Sequence, residues 1–365
     1  MAPIRTSLAR SVGKLLAVYG SRDLSIRGYN FFQSNKSKES VTGGTTYQNG
    51  SYRVHEFLTP GSLVISPGTT LTNVRYLVVG GGGGGGGFDT RAGGGGAGGL
   101  RSNHPDCPTD LRTPSSYSLG AGEYPVVVGD GGYARLDPNG SWPNTNNQSE
   151  GGYPTGVPDQ YGTPGYSSIF NGAEVNSVNK IVGTGGGAGI WGGSGTPAAA
   201  GTGGSGGGCG DWDQGGTGAQ AVVSPDGLSP TGQGNAGGLS PTGPGSYISG
   251  GGGGAGGSAP APNGGKGGVS VQIGIRGKNT TPAGEYYAGG GQGTGGAIPV
   301  ETVSDPGGAG GRYTQGLPNT AVGELPARTH ESNGFPGTGG GGAGVSHDPD
   351  RGRGGPGIVI ISYLV

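Results

Sequence analysis

Between Tyr76 and Gly87 the chain reads YLVVGGGGGGGG. Leu77, Val78 and Val79 have the apolar, β-branched character of a buried strand, and side chains then stop for eight residues. Comparable runs recur at Gly93–Gly99, Gly185–Gly193, Gly250–Gly257, Gly289–Gly296 and Gly337–Gly344, and most are approached by Ile, Val, Tyr or Phe. Ordering a residue's backbone costs about 1–2 kcal/mol, with glycine at the upper end. A glycine buries no side chain in return, and a net hydrogen bond contributes only about 0.5–1.5 kcal/mol. A folded glycine run therefore needs nearly every N–H and C=O paired.

That requirement narrows the backbone. Each glycine in an α-helix loses about 1 kcal/mol relative to alanine, and interior glycines weaken ordinary strands. Collagen needs glycine at every third position with proline between, a register absent here. Extended polyproline-II geometry remains, with many segments side by side so that their outward N–H and C=O groups bond to one another. Gly80–Gly87 would then span about 25 Å. Flexible linkers are the alternative, but linkers are flanked by polar residues, whereas these runs follow apolar ones. Packed polyglycine is the favoured reading.

Of 365 residues, 96 are glycine and 27 proline, a balance usual in low-complexity chains. Repulsion does not enforce disorder, because the net charge is −1 and only 12% of residues are charged. The same balance leaves no basic stripe for nucleic acid. Two cysteines, Cys107 and Cys209, are too few for a disulfide framework, though the two could pair through the fold. No apolar run approaches the roughly 18–20 residues of a membrane span.

The texture predicts two parts, an arm and linker over 1–45 and a glycine-rich domain over 46–365. In the arm, Ile4, Leu8, Val12, Leu15 and Leu16 fall at helical spacing with basic residues between them, as in a short amphipathic element that docks on a partner. A frayed terminus and an organellar transit peptide are the alternatives. Within the domain, 46–79 and 356–365 read as strands, and GIVIISYLV is too short for a globular helix and rich in Ile and Val. The predicted fold is thus mainly β and irregular. A small antiparallel sheet is formed by the N-terminal strands and the C-terminal strand, and the insertion 80–355 is a bundle of polyproline-II-type helices. EYPVVVGDGG and GVSVQIGIRG are short strand-like pieces within it.

Chemistry-bearing motifs are sparse. The glycine run satisfies G-x-G-x-x-G trivially, but no helix can follow it, and none of the Gly-Lys pairs continues with Ser or Thr. His104 stands three residues from Cys107, half of a metal site without a second half, and is read as part of a solvated loop. The acids near Asp211 and Asp348 lack a calcium-loop pattern and read as turn residues. No carboxylate pair is marked for glycan cleavage. No enzyme, cofactor or metal is therefore expected. Rings beside glycine, such as Trp191, Tyr286 and Tyr287, are expected to cap the ends of the polyglycine and exclude water. Tyr133, Trp142, Tyr153 and Tyr161, in the long polar connections, are the candidates for contact with a receptor, since binding residues favour loops held on a rigid scaffold.

VRYLVVGGGGGGGG, YPVVVGDGG, GYSSIFNG before KIVGTGGGAG, YYAGGGQGTGG and the closing GGPGIVIISY resemble, in this order, the glycine-rich domain of tailed-phage tail-fibre and adhesin proteins. The similarity covers about residues 50–365. APIRTSLARSVGKLL with DLSIRG resembles the leader arms of virion proteins of marine cyanophage-type viruses. The resemblance implies a polyglycine-II sandwich in a virion surface protein, assembled in the host cytoplasm. It also implies an arm docked on other virion proteins, a homo-oligomeric state, and contact with a host cell-surface glycan or protein. One departure is that no long shaft precedes the domain. A head decoration or other purely structural virion subunit is the alternative.

Overall fold

The computed structural model describes residues 40–87, 92–114, 117–134, 162–171, 180–191, 200–210, 226–240, 249–260, 265–277, 285–294, 333–344 and 352–365. The chain divides into two compact units, Met1–Thr42 and Gly43–Val365. The described part of the first holds a two-residue strand, β1 (Val41–Thr42). The second holds the other eleven described strands: β2 (Thr45–Asn49), β3 (Tyr52–Phe57), β4 (Gly61–Ile65), β5 (Arg75–Val79), β6 (Leu100–Ser102), β7 (Gly122–Val127), β8 (Ser168–Phe170), β9 (Ile181–Gly183), β10 (Val271–Gln272), β11 (Tyr286–Tyr287) and β12 (Ile358–Leu364). Among the described residues there is no α-helix, and the pairings between these eleven strands are all antiparallel.

The central sheet has the order β2-β3-β12-β5-β6. Its middle strand is the C-terminal one, with Ile360 opposite Glu56 of β3 on one side and Leu77 of β5 on the other. Ile358 to Ile361 are fully buried, which is why a continuous β-branched run suits the position. The strands β2, β3 and β5 therefore share a sheet with the C-terminal strand β12, as the sequence predicts. β4 behaves differently. It leaves its neighbours in sequence and pairs with β7, which continues through β8 to β9 in a second sheet. β8 and β9 lie against β5, β6 and β12. The insertion is thus more than a glycine bundle, because its described residues supply six strands, β6 to β11.

The other face of the central sheet carries an apolar core. Val54, Leu77, Val79, Leu100, Ile358 and Ile360 cluster with Val271, Ile273, Ile275 and Tyr287. Its rim is polar. Tyr47 donates to Glu56 (2.9 Å), Glu56 pairs with Arg276 (3.3 Å), and the Arg276 amide donates to Glu285 (2.8 Å). Burial first, then the Glu56 bond, pushes the Tyr47 phenol above its ordinary range. A second polar pin is fully buried: Arg101 pairs with Asp226 at 3.1 Å and donates to the carbonyls of Gly232 and Thr231. Asp226 also accepts from the Val182 and Leu228 amides.

Beyond the sheets the glycine segments bond chiefly through backbone, in threes. The amides of Gly80, Gly83 and Gly86 donate to Gly99, Gly96 and Gly93; those of Gly81 and Gly84 to Tyr166 and Thr163; those of Gly82 and Gly85 to Gly355 and Gly352, all at 2.8–3.0 Å. The falling partner numbers show three antiparallel neighbours. The carbonyls face three other segments: Gly81 and Gly84 accept from Gly186 and Gly189, Gly82 from Gly132, and Gly83 from Gly342. One glycine segment thus bonds to six neighbours. Gly93–Gly99 repeats the pattern, with Gly93, Gly96 and Gly99 donating to Ile190, Gly187 and Thr184. Close approach demands glycine: a Cβ on Gly84 would stand 2.1 Å from the Tyr133 carbonyl oxygen.

Candidate functional site

The segments have a common orientation relative to the sheets. Gly80 follows β5, Gly99 precedes β6, Ser167 precedes β8 and Gly357 precedes β12, so the glycine array begins where the strands stop. Its far end is tied by another set of bonds. Gly86 donates to Gly93, Gly93 to Ile190, Gly85 to Gly352, Thr163 to Tyr133, Thr294 to Ala92 and Ser249 to Thr294, at 2.7–2.9 Å. The Thr294 hydroxyl also accepts from the Ala92 amide.

These residues flank the connections 88–91, 135–161, 192–199, 241–248 and 345–351, and the start of 295–332. Six excursions thus leave or return at one end, opposite the sheets. Glycine segments bring this about because they run parallel or antiparallel to one another, held in register by the hydrogen bonds above.

Tyr133 lies at this end and is half-buried. Its amide donates to the Thr163 hydroxyl (2.7 Å), and the Arg353 guanidinium carbon lies over its ring, 4.2 Å from the centroid. Trp142, Tyr153 and Tyr161 lie outside the described residues, as do Ile4, Leu8, Val12, Leu15 and Leu16 of the arm. Sequence reasoning missed Arg353. Its only local signal is the alternation in RGRGG, and its partner ring stands far away in sequence. Tyr166, bonded through its amide to Asp130 (2.9 Å), was missed for the same reason. Burial first, then Tyr133 and Asp130, raises the Tyr166 phenol and keeps it protonated.

His104 is buried, not part of a solvated loop. Its Nδ1 accepts from the Asp106 amide (3.3 Å) and lies 3.5 Å from the Asp106 carboxylate. Desolvation lowers its basicity, against the opposing pull of Asp106. Burial pushes the neighbouring Cys107 thiol up to about 12. Cys107 and Cys209 are both buried, and no disulfide joins them. Among the described residues no three His, Cys, Asp or Glu side chains are grouped to hold a metal. No helix of the described residues is long and apolar enough to cross a membrane. Tyr287 is fully buried in the apolar core, while Tyr286 and Trp191 are partly buried beside glycine segments.

The family model of the glycine-rich domain matches residues 58–364. The chain belongs to that family. The match begins at Leu58, just after β3, and runs to the last residue of β12, so it embraces both ends of the glycine array. Comparison with curated proteins gives no match. In this glycine-rich domain the glycine segments are held to one another chiefly by backbone hydrogen bonds.

Proposed function

We propose that the protein is a surface component of a tailed-phage virion, a tail fibre or appendage whose glycine-rich domain presents connections to a host receptor. The threefold-bonded segments are then polyproline-II-type helices arranged as in polyglycine II, and they form a rigid base on which connections vary without disturbing the interior. The observation that carries this reading is the gathering of connection flanks at one end, opposite the sheets. Tyr133 is the first ring of the contact surface, with Trp142, Tyr153 and Tyr161 on the connection that follows it. The arm, through Ile4, Leu8, Val12, Leu15 and Leu16, docks on other virion proteins, and copies assemble as a symmetric homo-oligomer. The reading is of a binding scaffold in the virion, not of an enzyme.

The test is exchange of residues 135–161 for a Gly/Ser segment of equal length. Adsorption of the purified protein to host cells is expected to be saturable and to disappear on exchange, with the denaturation midpoint unchanged. Undiminished adsorption refutes presentation by this connection.

A further inference from the structure

We propose that one flank of the glycine array binds an acidic polysaccharide, with Tyr133 and Arg353 at its centre. The inference rests on the display reading above and moves the contact from the connections to the side of the scaffold itself.

Three segments run abreast here. The Tyr166 amide donates to Asp130 and the Thr163 amide to Tyr133, while the Gly354 amide donates to Gly132 (2.8 Å). Segments 163–166, 129–134 and 352–355 are therefore adjacent ridges. In a threefold backbone, residues three apart project the same way, so Asp130 and Tyr133 crest one ridge. Tyr166 stands on one side and Arg353 on the other. Inward positions of the same ridges admit no side chain, since a Cβ on Gly132 would meet the Thr163 carbonyl oxygen. Arg353 and Asp130 are exposed, and Tyr133 and Tyr166 half-exposed.

The Arg353 guanidinium lies over the Tyr133 ring, and its own amide is anchored to the Asn333 side chain at 2.9 Å. No ion pair of Arg353 occurs among the described residues. The edge of a guanidinium matches a carboxylate in two parallel hydrogen bonds, and no carboxylate among the described residues takes that edge of Arg353. The neighbouring Tyr166 ring offers an apolar face with a protonated hydroxyl, which suits the face and hydroxyls of a sugar ring. Asp130 accepts hydroxyl donors. Aromatic face, hydroxyl acceptor and guanidinium edge together match a uronic-acid polymer better than a neutral one. The shallow, three-ridged surface suits an extended chain.

The experiment is calorimetric titration of the full chain with oligogalacturonate, with dextran as the uncharged control. Oligogalacturonate is expected to bind, more weakly as salt rises, and dextran is not. Arg353→Gln and Tyr133→Ala should each lower affinity about tenfold or more, and Arg353→Lys by less, because it keeps the charge but loses the planar edge. Amide exchange of Gly80–Gly86 should be unchanged in all three, which excludes unfolding as the cause. Equal affinity for dextran, or an Arg353→Gln variant that binds as tightly as the parent, overturns the proposal. Cell adsorption separates the two readings. Adsorption lost on exchange of 135–161 with galacturonate binding insensitive to Arg353 sinks the flank and leaves display standing. Adsorption indifferent to the exchange, with galacturonate binding lost in Arg353→Gln, does the reverse.

Discussion

Replacing Gly83 by alanine tests whether mutually bonded backbone is the interior of this domain. The new Cβ would stand 2.1 Å from the Gly187 carbonyl oxygen. Carbon–oxygen contacts settle at about 3.3 Å or more, so one of the two segments must move by about 1.2 Å. Gly187 is held on both sides: its carbonyl accepts from the Gly96 amide at 2.7 Å and its amide donates to Ser205 at 2.9 Å. Gly83 is held too, donating to Gly96 at 2.8 Å and accepting from Gly342 at 2.9 Å. A shift of that size carries at least two of these bonds past useful length. Each bond is worth about 0.5–1.5 kcal/mol, and a buried group left unpaired costs about 1–3 kcal/mol. The expected loss is roughly 2–5 kcal/mol, with faster exchange of the Gly80–Gly86 amides. Gly120→Ala is the control, because nothing lies within 4 Å of its added Cβ and its φ is not in the left-handed region. It should be neutral, or gain about 0.4–1 kcal/mol by restricting the unfolded chain. Denaturation midpoints measure both. Equal stability of Gly83→Ala and Gly120→Ala would refute the idea that close backbone contact organises the core.

Two further outcomes test the polar pins. Asp226→Ala leaves Arg101 charged and fully buried without its carboxylate, and should lower stability by about 3–5 kcal/mol; an Asp226→Ala, Arg101→Met double variant should recover much of that, as read by chemical denaturation. The basicity of His104 is lowered chiefly by desolvation. The unfolded chain therefore binds the proton more readily, and this contribution to stability is present above the unfolded pKa near 6.5 and lost as pH falls below it. His104→Gln should flatten the fall in stability as pH drops below about 6.5, measured as the denaturation midpoint against pH.

What was legible in the sequence follows from what each element buries. β12 is apolar on both faces because it is central, so GIVIISYLV announces itself without partners. The glycine runs were legible for the opposite reason: no backbone but a mutually bonded one can order them. β8 (Ser168–Phe170) and β9 (Ile181–Gly183) are three residues long and lie close to glycine, too short for an alternating pattern to register. The switch of β4 to the second sheet depends on β7, far along the chain, and GSLVIS says nothing about which edge will receive it. Arg353 over Tyr133 was hidden likewise. The pairing is dictated by which ridge lies beside which, and ridge order is set by hydrogen bonds that every glycine makes equally well.

That indifference raises the question of what chooses the order. Polyglycine has no side chains with which to select a neighbour, so any segment can bond to any other at any register. The strands resolve this. Val79 of β5 opposes Ile358 of β12 and Leu100 of β6, and at these rows the chain passes directly into Gly80, out of Gly357 and out of Gly99. The sheet thus sets three segments side by side, with direction and register given by side chains that do discriminate. Strand spacing of about 4.8 Å is also a distance at which extended segments bond through backbone, so the glycine array continues the sheet's spacing without a step. β7, β8 and β9 in the second sheet introduce 129–134, 162–166 and 185–190 in the same way. The apolar sheets therefore carry the information and the glycine segments carry the length. It follows that a change such as Ile360→Ala in the sheet should speed amide exchange at the far end of the glycine array, around Gly86 and Gly93, where no side chain of the sheet reaches, by loosening the register that the strands impose. Exchange there that stays at the parent's rate, while the sheet itself loosens, would mean that the glycine segments hold their own order.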